Sequence, residues 1–519
     1  MNVYGRIDET TETSHYRYRD RSDNRIESVQ DQETKKRTPT PFFSILIGSA
    51  VATALSVILP FVFDLLSPQQ TQDFYTGWAL HQGGHVYTDY YGTNGLLYYL
   101  LTYISQGSVL FAFVEWVALF GAGIFLFKST DILTGKGEQA KQLLGIFYLL
   151  VAGLSFGGGY AMIVALPFLF YAFSLVATYL DNPTHDKGFL RIGMSFALAF
   201  FVSPIPTALF VLSIGLSLLI FNIVQHRFVH GIYQFFAIGL GFSILFYPIG
   251  YYTVAVGNFG DAISHTLYPI NTLELFSNTH LSDNSLFFAL LAAGLGAVTL
   301  IFAGLFQSKP TKQYVISAVA SFGLLLTLAM LILSKEPLHG SRLVVLLPFL
   351  TLLMITTVKE TTVDQGVRSR RKEGTNSLWT RFLKGNLYLP IVAIVYLLLI
   401  PFVSRYASHP TTYQERLRLV ATVKEQTAAG DRIYAWDDRP NLYLDSGRLA
   451  ATSILTPTLY TASEENKTKL VNDLKENQPK LIVVNQRVAL WEEIEKLLGD
   501  DYQLLKTDTT EFKLYQLKE

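Results

Sequence analysis

A chain of 519 residues that is half apolar and only 16% charged is too greasy to fold as a soluble protein of this size. Its 41 Lys and Arg cancel its 41 Asp and Glu, leaving zero net charge, and no nucleic-acid partner is expected. The absence of cysteine excludes disulfides, thiolate catalysis and cysteine-ligated metal.

Residues 1–41 are polar, mixed in charge and poor in aliphatics, without a cleavable-signal pattern, and predict a disordered cytoplasmic tail. Residues 42–404 hold apolar runs long enough to cross a bilayer, each needing about 20 residues or fewer where a span is short, which makes about eleven spans. They lie near 42–66, 108–128, 142–156, 160–180, 189–204, 206–224, 231–252, 286–306, 313–334, 341–358 and 387–404. Gly157-Gly158-Gly159 and Ser203-Pro204-Ile205-Pro206 interrupt these runs, so each flanking pair is either a tight hairpin or one broken helix. Basic residues alternate between loops: Arg17 to Arg37, Lys136 and Lys141, Lys187 and Arg191, Arg227, and Lys309 and Lys312 fall on one side. Arg368, Arg370, Arg371, Lys372, Arg381 and Lys384 join them before the last span. Segments 67–107 and 253–285 contain no Lys or Arg. The positive-inside rule then puts the N-terminus in the cytoplasm, and loop 67–107 and the C-terminus outside.

After the last span the composition becomes that of a soluble domain, 405–519. The pattern predicts a helix over 412–429, a strand over 432–436 and a helix over 464–477. A buried strand over 480–485, a helix over 488–498 and a closing hairpin over 502–517 follow, together a small extracytoplasmic α/β domain. The chain is thus mostly α: a polytopic membrane helical bundle with an α/β appendage, and no internal repeat.

Chemistry-bearing residues gather in two places. The segment 71–97 carries two aspartates, two histidines and four tyrosines without a cation. Asp73 lies just past the first span and Asp89 follows it; either can accept a proton from a hydroxyl nucleophile or hold a divalent cation, or simply be solvated or cap a helix. His81, His85 and Asp89 are spaced like metal ligands on one helix, but Gly83-Gly84 breaks such a helix and no metal site is assigned. Tyr75, Tyr87, Tyr90 and Tyr91 suit an interfacial aromatic belt. The second cluster, Lys335 to Arg342, supplies cations on the side where cations are rare, either as charge-assisted donors to a lipid-linked phosphate or as snorkelling anchors. Glu115, deep inside the second span, reads as structural.

These residues resemble the GT-C superfamily of integral-membrane glycosyltransferases, family 39-like, which includes the protein O-mannosyltransferases and the aminoarabinose transferase of lipid A modification. The likeness rests on Asp73; Gly83-Gly84-His85-Val86-Tyr87-Thr88-Asp89; Gly95-Leu96-Leu97-Tyr98-Tyr99; His339-Gly340-Ser341-Arg342 before Leu347-Pro348; and a C-terminal domain opening at Arg432-Ile433-Tyr434-Ala435-Trp436-Asp437. There are departures: Phe74 stands where many relatives have a second acid, Gly92-Thr93-Asn94-Gly95 replaces a proline-rich turn, and 155–160 carries no acidic motif. The resemblance implies a polyprenyl-phosphate sugar donor and an envelope glycan, lipid or protein acceptor, with Asp73 as base in an inverting displacement and Asp89 positioning the acceptor or a cation. His85 and Tyr87 would bind substrate, and Lys335, His339 and Arg342 would stabilise the phosphate leaving group. Asp73 and Arg342 are then expected to share one cavity. A divalent cation is the one cofactor this pattern admits. Competing readings are a transporter or flippase for a lipid-linked or small solute, and a polysaccharide polymerase or non-catalytic member of an envelope assembly; charge at the rim and the lack of a repeat count against the first, and the fused α/β domain against a polymerase.

Overall fold

The computed structural model describes residues 38–518, except 277, 308–310, 337, 359–377 and 386–387. The N-terminal tail, Lys309 and the basic cluster Arg368, Arg370, Arg371 and Lys372 therefore lie outside the described residues, as do the side chains of Arg381 and Lys384.

The first apolar run forms α1 (Phe42–Val62). Two shorter helices follow, α2 (Pro68–His81) and α3 (Leu96–Ile104). The bundle continues with α4 (Phe111–Thr134), α5 (Gly137–Leu154), α6 (Ala161–Asp181), α7 (Phe189–Phe200), α8 (Pro204–Val224) and α9 (Phe228–Val256). Next come α10 (Phe259–Asn271), α11 (Leu281–Gly294), α12 (Ala297–Phe306) and α13 (Thr311–Leu333). Then come α14 (Gly340–Thr356), α15 (Leu378–Gly385) and α16 (Leu389–Ser408).

The apolar runs expected to give about eleven spans fall on helices of very different length. Among the described residues seven helices are long and apolar enough to cross a bilayer singly: α1, α4, α6, α8, α9, α13 and α16. An eighth is formed if α11 and α12, which meet at a 62° bend, count as one span. The bend falls at Gly296, whose φ of +90° only glycine adopts without strain. The runs at 189–204 and 341–358 form the short helices α7 and α14, and the run at 142–156 becomes α5, whose first turns carry Glu138 and Lys141. Gly157, Gly158 and Gly159 all have positive φ, so the junction between α5 and α6 is a tight turn rather than a broken helix.

Glu115 on α4 holds that turn in place. Its Oε2 accepts the Gly159 N–H at 2.7 Å and its Oε1 accepts the Ser56 hydroxyl of α1 at 2.7 Å, which satisfies a buried carboxyl inside the bundle. Its structural role is as expected from its depth.

Small residues set the closest helix crossing. A Cβ on Gly193 of α7 would stand 1.9 Å from the Ile238 carbonyl oxygen, and one on Gly241 of α9 would stand 2.0 Å from the Leu190 oxygen. Backbone cannot give way as a flexible side chain can, so α7 and α9 pack only as glycine allows. Gly241→Leu is expected to destabilise by about 3 kcal/mol or more, read as a lower unfolding midpoint in detergent. A midpoint equal to wild type would show that the two helices need not touch.

The C-terminal part opens with α17 (Pro410–Gln426) and builds a five-stranded sheet. The strands are β1 (Arg432–Trp436), β2 (Leu449–Ala450), β3 (Leu481–Asn485), β4 (Tyr502–Leu505) and β5 (Phe512–Leu517), in spatial order β2-β1-β3-β5-β4. β2, β1 and β3 are parallel, and β5 and β4 close the edge antiparallel. All five residues of β3 are buried, as a run such as LIVVN requires when both faces are covered. Two helices link the strands, α18 (Asn441–Ser446) and α19 (Glu464–Asn477), and a third, α20 (Glu492–Asp501), starts later than the expected 488. Trp491 packs edge-on against Trp436 at 4.9 Å just ahead of α20, and Glu492, Glu493 and Glu495 complement the dipole at its start.

The segment 64–91 is where the sheet and the bundle meet. Tyr75, Ala79 and Tyr90 share a core with Ile433, Tyr443 and Leu481, and the Tyr75 hydroxyl accepts the Ala450 N–H at 2.7 Å. Asp64 accepts from Arg405 at 2.5 Å and from Asn441 at 2.7 Å, while Arg439 donates to the Leu66 carbonyl at 3.1 Å.

Candidate active site

Ser67 caps α2 by accepting the Gln70 N–H, and Pro68 presets its first turn. The helix is too polar to span a bilayer, yet its sides are covered by bundle and sheet, so Asp73 is only 2% exposed. Its Oδ2 accepts from the Asn94 amide at 2.9 Å, with the Tyr98 hydroxyl at 3.4 Å; Oδ1 has the Tyr99 hydroxyl at 3.5 Å. Burial pushes the Asp73 carboxyl up to about 8, against the downward pull of Tyr98, Asn94 and Tyr99.

Asn94 is fixed from both sides. Its carbonyl accepts the Tyr87 hydroxyl at 2.8 Å, and Gly95 donates to the Val202 carbonyl at 3.1 Å. Gly95 lies so close to α7 that a Cβ there would fall 2.1 Å from the Phe201 oxygen. The sequence GTNG thus delivers an amide to Asp73 because glycine lets the loop press against the neighbouring backbone.

Beside this cluster opens a cavity of about 430 Å³. Asn94, Tyr160, Glu336, His339 and Arg342 line it from the bundle, and Asp438, Thr458, Leu459 and Tyr460 from the C-terminal domain. The expectation that Asp73 and Arg342 share one cavity is not met: Arg342 lines it, whereas Asp73 does not and sits behind its hydrogen-bond partner Asn94, which does. The His339 ring bonds the Ser341 hydroxyl through Nδ1 at 2.6 Å, and burial together with Arg439 and Arg342 holds its imidazole down to about 4, so it is neutral at physiological pH. Arg342 donates to the Glu336 carbonyl at 3.3 Å and lies 5.7 Å over the Phe288 ring. Glu336 accepts the Tyr268 hydroxyl.

The structure brings Asp73, Tyr87, His339 and Arg342 to this region and leaves three expected residues outside it. Asp89 and His85 form one exposed turn, where Asp89 Oδ2 accepts the His85 N–H at 2.7 Å and faces its ring at 3.4 Å. This carboxylate caps its own turn, and neither Asp89 nor His85 lines the cavity. Lys335 pairs with Glu274, because the bridge between Leu273 and Ser334 aligns the two loops, and it does not line the cavity. His81 packs against Tyr103 at 5.3 Å, away from the His85–Asp89 turn. Among the described residues no group of three His, Asp or Glu side chains is placed to hold a metal ion.

Residues 30–409 match the family described as "Putative competence-induced protein Ccs4 N-terminal domain", and residues 413–518 match the corresponding Ccs4 C-terminal domain. The chain belongs to the Ccs4 family. No curated protein matches it in sequence. Two solved structures of ArnT from Cupriavidus metallidurans are similar to this Ccs4-family chain, each with a TM-score of 0.56 over 91% of this chain and 96% of the other. One was determined bound to undecaprenyl phosphate, at 9% identity, and the other in the apo state, at 10%. Identity this low shows a shared fold alone: a membrane helical bundle with a small α/β domain, as the sequence led us to expect.

Several site residues escaped the sequence reading. Asn94, Tyr98 and Tyr99 were within quoted stretches, and Glu336 within the basic cluster, but nothing local marks which side chains turn inward. Asp438 and Tyr460 lie in another domain, and no spacing rule could connect them to Asp73.

Proposed function

We propose that this chain is a membrane glycosyltransferase that moves a sugar from a polyprenyl-phosphate donor to a hydroxyl of an envelope acceptor, on the extracytoplasmic side. The N-terminus is then cytoplasmic and the C-terminal domain extracytoplasmic. The observation that carries the reading is one cavity lined both by Asn94, the partner of a buried carboxyl, and by Arg342 beside a neutral histidine. The undecaprenyl phosphate bound by the similar ArnT structure supports the donor class.

In this reading the acceptor oxygen attacks the anomeric carbon as its proton passes to Asp73, and the bond from that carbon to the phosphate oxygen breaks with inversion. Rotation of the Asn94 side chain is the motion that exposes Asp73 to the cavity. Negative charge grows on the leaving phosphate, and Arg342 offsets it with a charge-assisted hydrogen bond that a neutral His339 supplements through Nε2–H.

The test is titration of undecaprenyl phosphate into the full chain in nanodiscs. Wild type should bind, and Arg342→Ala should weaken binding by about 10- to 100-fold, the loss expected when a buried charge-assisted hydrogen bond goes. Equal affinity in the variant would remove Arg342 from the donor site, and no binding by wild type would end the donor assignment.

A further inference from the structure

The C-terminal domain reaches into the cavity at two points. Asp438 follows Asp437 at the end of β1, and its Oδ1 is held by Arg416 at 3.0 Å. Its Oδ2 has no partner among the described residues, and the side chain, more than half exposed, lines the cavity. The loop 456–463 supplies the second point. Tyr460 adopts a φ of +62°, a conformation unfavourable for a bulky residue and held here by specific bonds. Asn466 donates to the Tyr460 carbonyl at 2.7 Å, Thr461 donates to the Pro457 carbonyl at 2.7 Å, and the Ala462 N–H bonds the Tyr268 hydroxyl at 3.1 Å.

These bonds carry the phenol of Tyr460 into the cavity beside Asp73 and Thr93. Its hydroxyl is buried and faces the Thr93 side chain, which is placed too poorly to make a good hydrogen bond with it. A buried hydroxyl so weakly partnered keeps its donor capacity for a polar group that enters the cavity.

We infer that Asp438 and Tyr460 form a binding site for a hydroxyl-rich headgroup, a sugar, which enters the cavity as acceptor under the C-terminal domain. The chemistry favours neutral hydroxyls over the alternatives. A carboxylate oxygen accepts from a hydroxyl, and a phenol donates to one. Arg416 and Arg439 beside Asp438 disfavour a cationic ligand there, and the Asp438 carboxylate itself disfavours an anionic one. The inference rests on the transferase reading for the word acceptor, but the binding site stands or falls on its own.

The probe is n-octyl β-D-glucopyranoside, below its micelle concentration, titrated into the full chain in nanodiscs and read by saturation-transfer NMR, with n-octanol as a tail-only control. Wild type should give sugar-ring signals that the control does not displace. Asp438→Asn and Tyr460→Phe should each weaken binding by about tenfold, while undecaprenyl phosphate affinity stays within about twofold of wild type. Unfolding midpoints of the variants should match wild type. No ring signal from wild type, or equal binding by both variants, would overturn the site. If undecaprenyl phosphate fails to bind while the sugar binds and both variants weaken it, the donor reading falls and the hydroxyl site stands.

Discussion

Asp73→Asn is expected to lower sugar transfer by about 10²- to 10⁴-fold, the usual contribution of a general base, while the chain still inserts and folds. The substitution is close to isosteric. Its carbonyl can take the Asn94 amide now 2.9 Å from Oδ2, and the Tyr98 hydroxyl keeps its 2.5 Å bond to the Gly159 carbonyl. Surface glycan analysis in cells, with membrane insertion checked, reads the loss; unchanged glycan would exclude Asp73 as base. The same variant carries a pH signature. Folding raises the Asp73 carboxyl from its ordinary 3.8 to about 8, so between those values the native state holds a proton that the unfolded chain has released. Stability must therefore fall as pH rises through that window, by up to about 1.4 kcal/mol per pH unit for one proton, and level off above it. Asp73→Asn removes this slope, so its unfolding midpoint should exceed that of wild type by a margin that widens from pH 5 to pH 8. Parallel curves would mean that Asp73 is not buried as described. The activity of wild type should rise over the same range, because only the ionised carboxyl can accept the acceptor's proton.

Arg416→Ala should carry the largest stability cost in the C-terminal domain, about 3–5 kcal/mol, because it strands a buried charge. Arg416 on α17 grips Asp437 through Nε at 2.7 Å and Nη2 at 3.0 Å, and both side chains are almost fully buried. Asn485 adds a 2.7 Å bond to the same carboxylate, and the guanidinium lies over the rings of Tyr413 and Phe512. Burial alone would raise Asp437, but Arg416 outweighs it and holds the carboxyl below its ordinary range. The stability from this pair is thus present above the ordinary 3.8 and is lost as acid titrates the folded carboxyl. Hydrogen exchange on the full chain should show faster exchange in β1 and β3 for the variant, with α4 and α6 still protected; unchanged exchange in β1 would refute the account. Since Arg416 also anchors Asp438, sugar binding should weaken with it.

Sequence and tertiary structure divide this protein along a physical line. Apolar runs report membrane burial wherever they occur, so the helical bundle was legible, as were the strands RIYAW and LIVVN and the helix 464–477 to the residue. The resemblance also named Asp73, His339 and Arg342; the fold puts the last two on one cavity and Asp73 behind Asn94 beside it. Helix length was not legible, because a run such as 189–204 gives hydrophobicity but not the 12-residue helix that proline and glycine leave of it. Nor was the loss of Asp89 and Lys335 from the site. Each found a charged or backbone partner in its own loop or an adjacent one, and such pairing depends on backbone path rather than residue type. The sequence alone determined a membrane helical bundle with an α/β domain and a carboxyl after the first helix. Only the tertiary structure decided that Asn94 screens that carboxyl and that Asp438 and Tyr460 complete the cavity from more than three hundred residues away in the chain. Burial and long-range packing made those choices, and neither leaves a periodic trace in the sequence.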